Sequence, residues 1–259
     1  MFVRIRTLVI GKFFSPSTLA YYERGDSFPG LIMNNVCGSV QAVIFPALSE
    51  VQHDRPRVRA MMRRAINTSC LFMFPTMVGL MIAAKPLVLL LLTDKWLPAV
   101  PYMQILCIAN FFRPITIPNQ QAITALGYSD ITLRLELIKK IVDITILAIS
   151  CYLGVLAIAW GVVAFNFICV FINLTPNIRL LNYKLHEQVL DVLPTLLISI
   201  LMGVTIIWIP LTEWSPIIQL VLIFIIGSFV FATSCRLFKI ECFMYLYNRI
   251  APRLFKLKK

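Results

Sequence analysis

The chain has 259 residues, of which 59% are hydrophobic and only 14% charged, with a mean hydropathy of +0.83. A soluble domain is about 45–50% apolar and about 25% charged, so this composition excludes an ordinary soluble α/β enzyme and leaves room for roughly six or seven membrane-spanning helices. The net charge of +12 could mark a nucleic-acid partner, an anionic bilayer surface or membrane topology, and position along the chain decides between them.

Residues 1–12 contain one short apolar run, Leu8 to Ile10, after Arg4 and Arg6. It is too short to cross a bilayer and lacks the cleavage site of a signal peptide. Residues 13–28, with Ser15, Pro16, Gly25 and Asp26, read as a turn-rich connection. The first span covers residues 29–49. Asn34, Asn35, Gly38, Gln41, Ala42, Pro46 and Ser49 recur there at three- and four-residue steps and share one helical face, leaving Ile32, Met33, Val36, Val40, Val43 and Ala47 to face lipid. The second span covers residues 68–93, broken at Lys85-Pro86 into a spanning helix and a short apolar one. The third covers 98–126 and bends at Pro114 and Pro118. The fourth (131–153) and fifth (155–174) are separated by Gly154 alone and form a tight hairpin. Residues 175–191 are a polar connection, 192–211 and 216–235 are the sixth and seventh spans, and 236–259 form a basic tail. No strand alternation competes, so the fold class is all-α: a polytopic membrane helix bundle of about seven transmembrane helices.

Assigning successive connections to alternate sides places Arg55, Arg57, Arg59, Arg63 and Arg64 on one face, with Arg134, Lys139, Lys140, Arg179, Lys184 and the basic tail. That face holds 17 of the 24 basic residues. The positive-inside rule makes it cytoplasmic, together with the C-terminus, and anionic lipid headgroups are its natural partner. No basic residues are left over that would call for nucleic acid. The seven cysteines show no CxxC or His-paired metal spacing, and most lie within spans as small hydrophobes. His53 and His186 sit among charged residues in connections. Without a glycine-rich phosphate loop, a GxSxG motif or a carboxylate pair inside a span, neither an enzyme nor a cofactor or metal site is expected.

Polar residues inside spans carry the functional signal. Arg113 lies within the third span on a face that repeats as Asn110, Thr116, Gln120 and Thr124. An arginine near the bilayer centre costs at least about 2.5–3.5 kcal/mol on insertion scales, so it faces the bundle interior or a water-filled cavity. It either snorkels toward an interface, pairs with a carboxylate, or binds an anion such as phosphate. Lys85 is a weaker candidate, for which snorkelling to the outer interface is the first explanation. Asp143, four residues after Lys139, is expected to form an intrahelical pair, with cation or proton binding as its alternative. Asn166 and Asn173 share a face of the fifth span, where Ala157 and Gly161 form a small-residue packing contact. Polar stripes on spans bent by proline are the mark of a transporter cavity.

Three stretches carry a family resemblance: residues 20–66 (AYYERGDSFPGLIMNNVCGSVQAVIFPALSEVQHDRPRVRAMMRRAI), 84–109 (AKPLVLLLLTDKWLPAVPYMQILCIA) and 119–140 (NQQAITALGYSDITLRLELIKK). They resemble bacterial polysaccharide-export flippases, the Wzx-like lipopolysaccharide and exopolysaccharide biosynthesis proteins of the multidrug/oligosaccharidyl-lipid/polysaccharide exporter superfamily. The resemblance implies two six-helix lobes about a pseudo-twofold axis, often with two extra C-terminal helices. It also implies movement of an undecaprenyl-diphosphate-linked oligosaccharide to the outer leaflet of the bacterial inner membrane. On this alignment the chain begins within the seventh helix and its spans are helices eight to fourteen. Residues 1–28 are then a truncated helix plus a periplasmic connection, 29–174 the C-terminal lobe, and 192–235 the extra helices. Arg113, helped by Lys85, is expected to hold the diphosphate, and Asn34, Asn35, Gln41 and Gln120 to line the sugar path. Asp143 is the candidate for ion coupling, and a missing N-terminal lobe or a biosynthetic complex the candidate partner. A non-transporting membrane protein or gene remnant, and a drug or cation exporter of the same superfamily, are the other readings.

Overall fold

The computed structural model describes residues 3–209, 214–240 and 242–244. The described chain runs α1 (Val3–Phe13), α2 (Pro16–Glu50), α3 (Arg55–Leu91), a short 3-10 segment (Asp94–Ala99), α4 (Val100–Asn110), α5 (Arg113–Ala125), α6 (Ser129–Leu153), α7 (Val155–Leu181), α8 (Leu185–Ile207) and α9 (Pro216–Leu237). The described residues contain no strand. Helices α2, α3, α7, α8 and α9 are each long and apolar enough to cross a membrane. The 25 residues of α6 reach as far, at about 1.5 Å per residue, but include Glu136, Lys139, Lys140 and Asp143. The expected end of the sixth span at residues 210–211 and the basic tail from residue 245 lie outside the described residues.

Several boundaries differ from the expectation. Residues 13–28 are not a connection, because α2 already starts at Pro16. Ser15 caps it by accepting from the Thr18 N–H at 3.3 Å, and Pro16 occupies the first helical turn, where no N–H is needed. Gly25, expected as a turn, lies inside α2 where α4 crosses it. A Cβ there would come within 2.7 Å of Tyr102 Cβ and 2.9 Å of the Met103 backbone nitrogen. Lys85-Pro86 does not break α3, which runs on to Leu91. Proline removes one backbone hydrogen bond, but burial of Ala83, Ala84, Pro86 and Val88 against neighbouring helices holds the axis. Helix α7 continues to Leu181 and α8 begins at Leu185, so the expected connection of residues 175–191 shrinks to three residues, with Asn182 in the left-handed conformation. The expected boundaries at residues 28, 174 and 191 fall inside α2, α7 and α8.

Helix α3 is the central column. Met62, Ile66, Cys70, Met73 and Met77 are fully buried along it, and α2, α4, α5, α8 and α9 all pack on it. The α6–α7 hairpin stands against α4 and α5. It closes tightly because Gly161 lets the helices touch, a Cβ there falling 2.7 Å from Ser150 Oγ. The outer faces of α8 and α9 expose Leu197, Leu201, Ile217, Val221, Phe224 and Phe229, an apolar surface suited to lipid tails. Tyr152, Trp208 and Trp214 are exposed at the tips of the α6–α7 and α8–α9 hairpins, the placement of an interfacial aromatic belt.

At the opposite end, arginines expected to mark topology do more than that. Arg59 and Arg63 are four residues apart on α3, and Glu187 and Asp191 are four apart on α8, so the helices are joined by two successive ion pairs. Arg59 Nη2 contacts both Glu187 carboxylate oxygens at 2.8 Å. The fully buried Tyr183 lies beneath the Arg59 guanidinium and donates its hydroxyl to Asp191 at 2.6 Å. Burial, reinforced by that hydrogen bond, raises the Tyr183 phenol far above its ordinary range and keeps it a donor.

Gly25→Val and Gly161→Val are each expected to lower stability by about 1–3 kcal/mol, read as a reduced melting temperature in detergent. Gly38→Ala, where an added Cβ meets nothing within 4 Å, should leave it unchanged or slightly raised. A double-mutant cycle of Arg59→Ala and Glu187→Ala should give a coupling of about 1 kcal/mol or less, because both side chains are about one-third exposed.

Candidate functional site

The site is organised by an interruption. The third expected span is interrupted at Phe111 and Phe112, within the turn that precedes Pro114, and divides there into α4 and α5, with Pro118 inside α5. Pro114 falls in the first turn of α5, where a missing N–H costs nothing. Asn166 of α7 donates to the Ala109 carbonyl at 2.9 Å, satisfying backbone where the helical ladder stops. Phe111 packs edge-on against Phe74, and Phe112 against Phe167, at centroid distances of 5.4 and 5.6 Å. The interruption is thus pinned on both sides, and Arg113 is the first residue of the helix that follows it.

Arg113 opens into a polar cavity of about 380 Å³ enclosed by α1, α2, α4, α5, α6 and α7. Arg6 projects into it from α1, and Tyr22, Glu23 and Asp26 from α2. Thr116 and Gln120 continue the wall on α5, while Glu136, Lys139, Lys140 and Asp143 face them from α6. Most of these charges are tied. Arg6 pairs with Asp143 and stacks 5.5 Å from the Phe165 ring centre. Lys139 Nζ donates to Glu136 at 2.6 Å, and Gln120 Nε2 donates to the same carboxylate at 3.0 Å. Glu23 accepts from the Thr7 hydroxyl at 2.6 Å. Arg113 makes no ion pair or hydrogen bond through its guanidinium among the described residues. Five donors held in a planar fork at the positive end of α5 suit a phosphate or carboxylate ligand. The 98% buried Asn173 lies on the α7 wall, and its Oδ1 has no donor among the described residues.

Of the residues singled out in the sequence, Arg113, Gln120 and Asp143 meet in this cavity. The expected Lys139–Asp143 pair does not form: Lys139 takes Glu136, three residues earlier on the same helix, and Asp143 takes Arg6 from α1. Asn34, Asn35 and Gln41 are exposed on α2 and do not line the cavity. Ile32, Met33, Val36 and Val40, expected to meet lipid, instead pack against the core, whereas Val43 is exposed as expected. Lys85 is exposed on α3, away from the cavity. Arg6, Tyr22, Glu23 and Asp26 escaped notice because residues 1–28 lacked an apolar run. The signal that could have found them is the Ser15-Pro16 helix start followed by Tyr22, Asp26 and Met33 on one helical face.

A second buried network centres on Asn119 of α5, next to Gln120. Asn119 and Gln188 exchange side-chain hydrogen bonds at 3.1 and 3.2 Å, and Asn177 donates to Asn119 Oδ1 at 2.8 Å. It joins α5, α7 and α8 beneath the cavity. Beside α3 and α9 lies a larger apolar cavity of about 700 Å³ lined by Phe72, Pro75, Gly79, Phe224, Gly227 and Phe231, among others.

Comparison with known proteins agrees with this architecture. The family described as polysaccharide biosynthesis protein matches residues 1–101. Over 111 residues the chain is 34% identical to an uncharacterized membrane protein in the cps region of Klebsiella pneumoniae, a match covering 43% of this chain and 23% of that protein. It is 23% identical over 174 residues to the lipopolysaccharide biosynthesis protein WzxC of Escherichia coli K12, covering 64% and 35% respectively. The chain thus spans less than half the length of these relatives. Among solved structures, the lipid II flippase MurJ in an inward closed conformation superposes with a TM-score of 0.73 over 95% of this chain and 51% of its own, at 19% identity. The fold is that of about half a flippase. The expected resemblance to polysaccharide-export proteins is borne out, as is the all-α membrane bundle, and the chain is a multi-pass membrane protein.

Replacing Asn166 by Leu is expected to leave the Ala109 carbonyl without its donor. Stability should fall by about 1–3 kcal/mol, measured by thermal or chemical denaturation in detergent.

Proposed function

We propose that this chain is the C-terminal lobe of a flippase that moves a diphosphate-linked oligosaccharide lipid across the bacterial inner membrane, with its arginine-rich end and C-terminus in the cytoplasm. The observation that carries the reading is Arg113, a guanidinium in no direct ion pair among the described residues, at a helix interruption facing a polar cavity that it shares with the Asp26 carboxylate. Retaining an arginine at that depth is worthwhile where an anion passes. Gln120 and the unsatisfied Asn173 carbonyl oxygen supply groups that suit sugar hydroxyls. The apolar cavity beside α9 is wide enough for a lipid tail.

The exposed stripe of Asn34, Asn35 and Gln41 fits the same scheme in a different place. Amides facing outward from an isolated lobe are poorly matched to lipid, and a second lobe set against α2 would enclose them in the sugar path. Lys85 is left without a role in substrate binding. The charged end formed by Arg55, Arg57 and Arg59 follows the positive-inside rule, and the exposed tryptophans at the other end follow the aromatic belt. The relatives' names speak for polysaccharide biosynthesis and the solved structure's for lipid flipping, so transport rather than catalysis is the proposed activity.

Arg113→Ala is the direct test. In a strain lacking its polysaccharide flippase, the chain supplied with a first lobe should restore surface polysaccharide, and Arg113→Ala should reduce it at least about tenfold, the effect of losing ~1.4 kcal/mol of ligand binding. Membrane abundance should be unchanged. Full restoration by the alanine variant would remove Arg113 from the mechanism.

A further inference from the structure

Of the four carboxylates on the wall of the polar cavity, three are engaged: Glu23 accepts from Thr7, Glu136 from Lys139 and Gln120, and Asp143 pairs with Arg6. Asp26 is the exception. One turn beyond Tyr22 on α2, it makes no hydrogen bond or direct ion pair among the described residues, and Arg113 and Arg6 act on it only through space. The hydroxyl of the buried Tyr22 likewise has no hydrogen bond among the described residues. From α7, the Oδ1 of Asn173 has no donor there either, although the residue is only 2% exposed. The unpartnered groups are therefore of two kinds. Arg113 offers donors, Asp26 and Asn173 offer acceptors, and the Tyr22 hydroxyl serves either way. A phosphate ester is matched by Arg113 and repelled by Asp26. A carboxylate beside a phosphate site is unfavourable unless another part of the ligand donates to it.

We propose that Asp26, with Tyr22 and Asn173, forms an acceptor subsite beside Arg113 that selects the sugar attached to the phosphate, taking sugars that are neutral or carry an ammonium group and refusing uronic acids. The inference rests on the anion-site reading of Arg113 above. At about 380 Å³ the cavity is at the small end of ligand sites, which run from about 300 to 1,000 Å³, so it encloses a sugar phosphate and not a whole repeat unit. With the phosphate on Arg113, the sugar bonded to it occupies the same small space as Asp26 and Asn173. A hydroxyl or ammonium that donates to Asp26 makes a charge-assisted hydrogen bond. A sugar carboxylate in that place makes none, and sets a second negative charge against Asp26 where little water screens it. Discrimination thus comes as much from rejection of the wrong sugar as from attraction of the right one. Asp26 acts on which sugar is bound, whereas Arg113 acts on every phosphate alike.

The test titrates the full chain in phosphatidylcholine nanodiscs, near neutral pH, with three probes that share a phosphate and differ in the sugar: glucose 1-phosphate, glucosamine 1-phosphate and glucuronic acid 1-phosphate. Inorganic phosphate is a fourth probe and reports the Arg113 contact alone. The native chain should bind the glucose and glucosamine esters at least about tenfold more tightly than the glucuronic acid ester. Asp26→Asn removes the charge and should bring the three esters within about threefold of one another. It should hold inorganic phosphate at least as tightly as the native chain does, because a negative charge beside Arg113 is gone. Arg113→Ala should weaken all four probes. Equal binding of the three esters by the native chain, or a preference that survives unchanged in Asp26→Asn, would overturn selection by Asp26 while leaving Arg113 as an anion site. Loss of inorganic phosphate binding by Asp26→Asn would mark Asp26 as structural and overturn it too. Binding of none of the four probes by the native chain would overturn the anion-site reading and this inference with it.

Discussion

Inside a bilayer every backbone carbonyl needs a donor, and the interruption between α4 and α5 is where this chain departs from the simplest way of meeting that need. The departure persists because Asn166 supplies a side-chain donor to Ala109 and because Pro114 falls where no N–H is required. Two aromatic contacts from Phe111 and Phe112 then fix the turn against α3 and α7. Arg113 follows directly on this stretch and lines the polar cavity.

Charge in the cavity is arranged by partner, not merely by amount. Arg6, Arg113, Lys139 and Lys140 face Glu23, Asp26, Glu136 and Asp143, so the walls are formally neutral. Neutrality makes the site tolerable at membrane depth. Specificity comes from the bonds each group makes. Glu136 is fully engaged by Lys139 and Gln120, whereas Asp143 relies on a single guanidinium that belongs to another helix. Helix α1 also meets the bundle through apolar contacts around Ile10 and the Thr7–Glu23 hydrogen bond.

Apolar content and charge distribution made the helical class and most spans legible, because a 20-residue apolar run has few alternative fates in lipid. Arg113, Gln120 and Asp143 were legible for a related reason: polar groups at that depth need a special environment. What escaped was partner choice. The spacing of Lys139 and Asp143 favours an intrahelical pair, yet the partner came from α1, 137 residues away in sequence. The same limit applies to α2, where four residues expected at lipid pack against the core. Polar residues at helical spacing identify a shared face, but whether it turns towards this bundle depends on what α3 and α4 present to it. Gly25 illustrates the third failure, since a glycine that permits close helix approach is indistinguishable, within one sequence, from a glycine that permits a turn.

The ion pairs that bind α8 to α3 join residues 128 positions apart. At roughly 5–20 residues per second of synthesis, α3 waits about 6 to 26 seconds for α8 to emerge from the ribosome. During that interval the flank of α3 that later buries Leu71 and Val78 against α8 and α9 has lipid as its neighbour, and Arg59 and Arg63 have water and headgroups. The bundle is therefore completed late in biogenesis. The arginine pairs take hold of the first turns of that later hairpin, at Glu187 and Asp191.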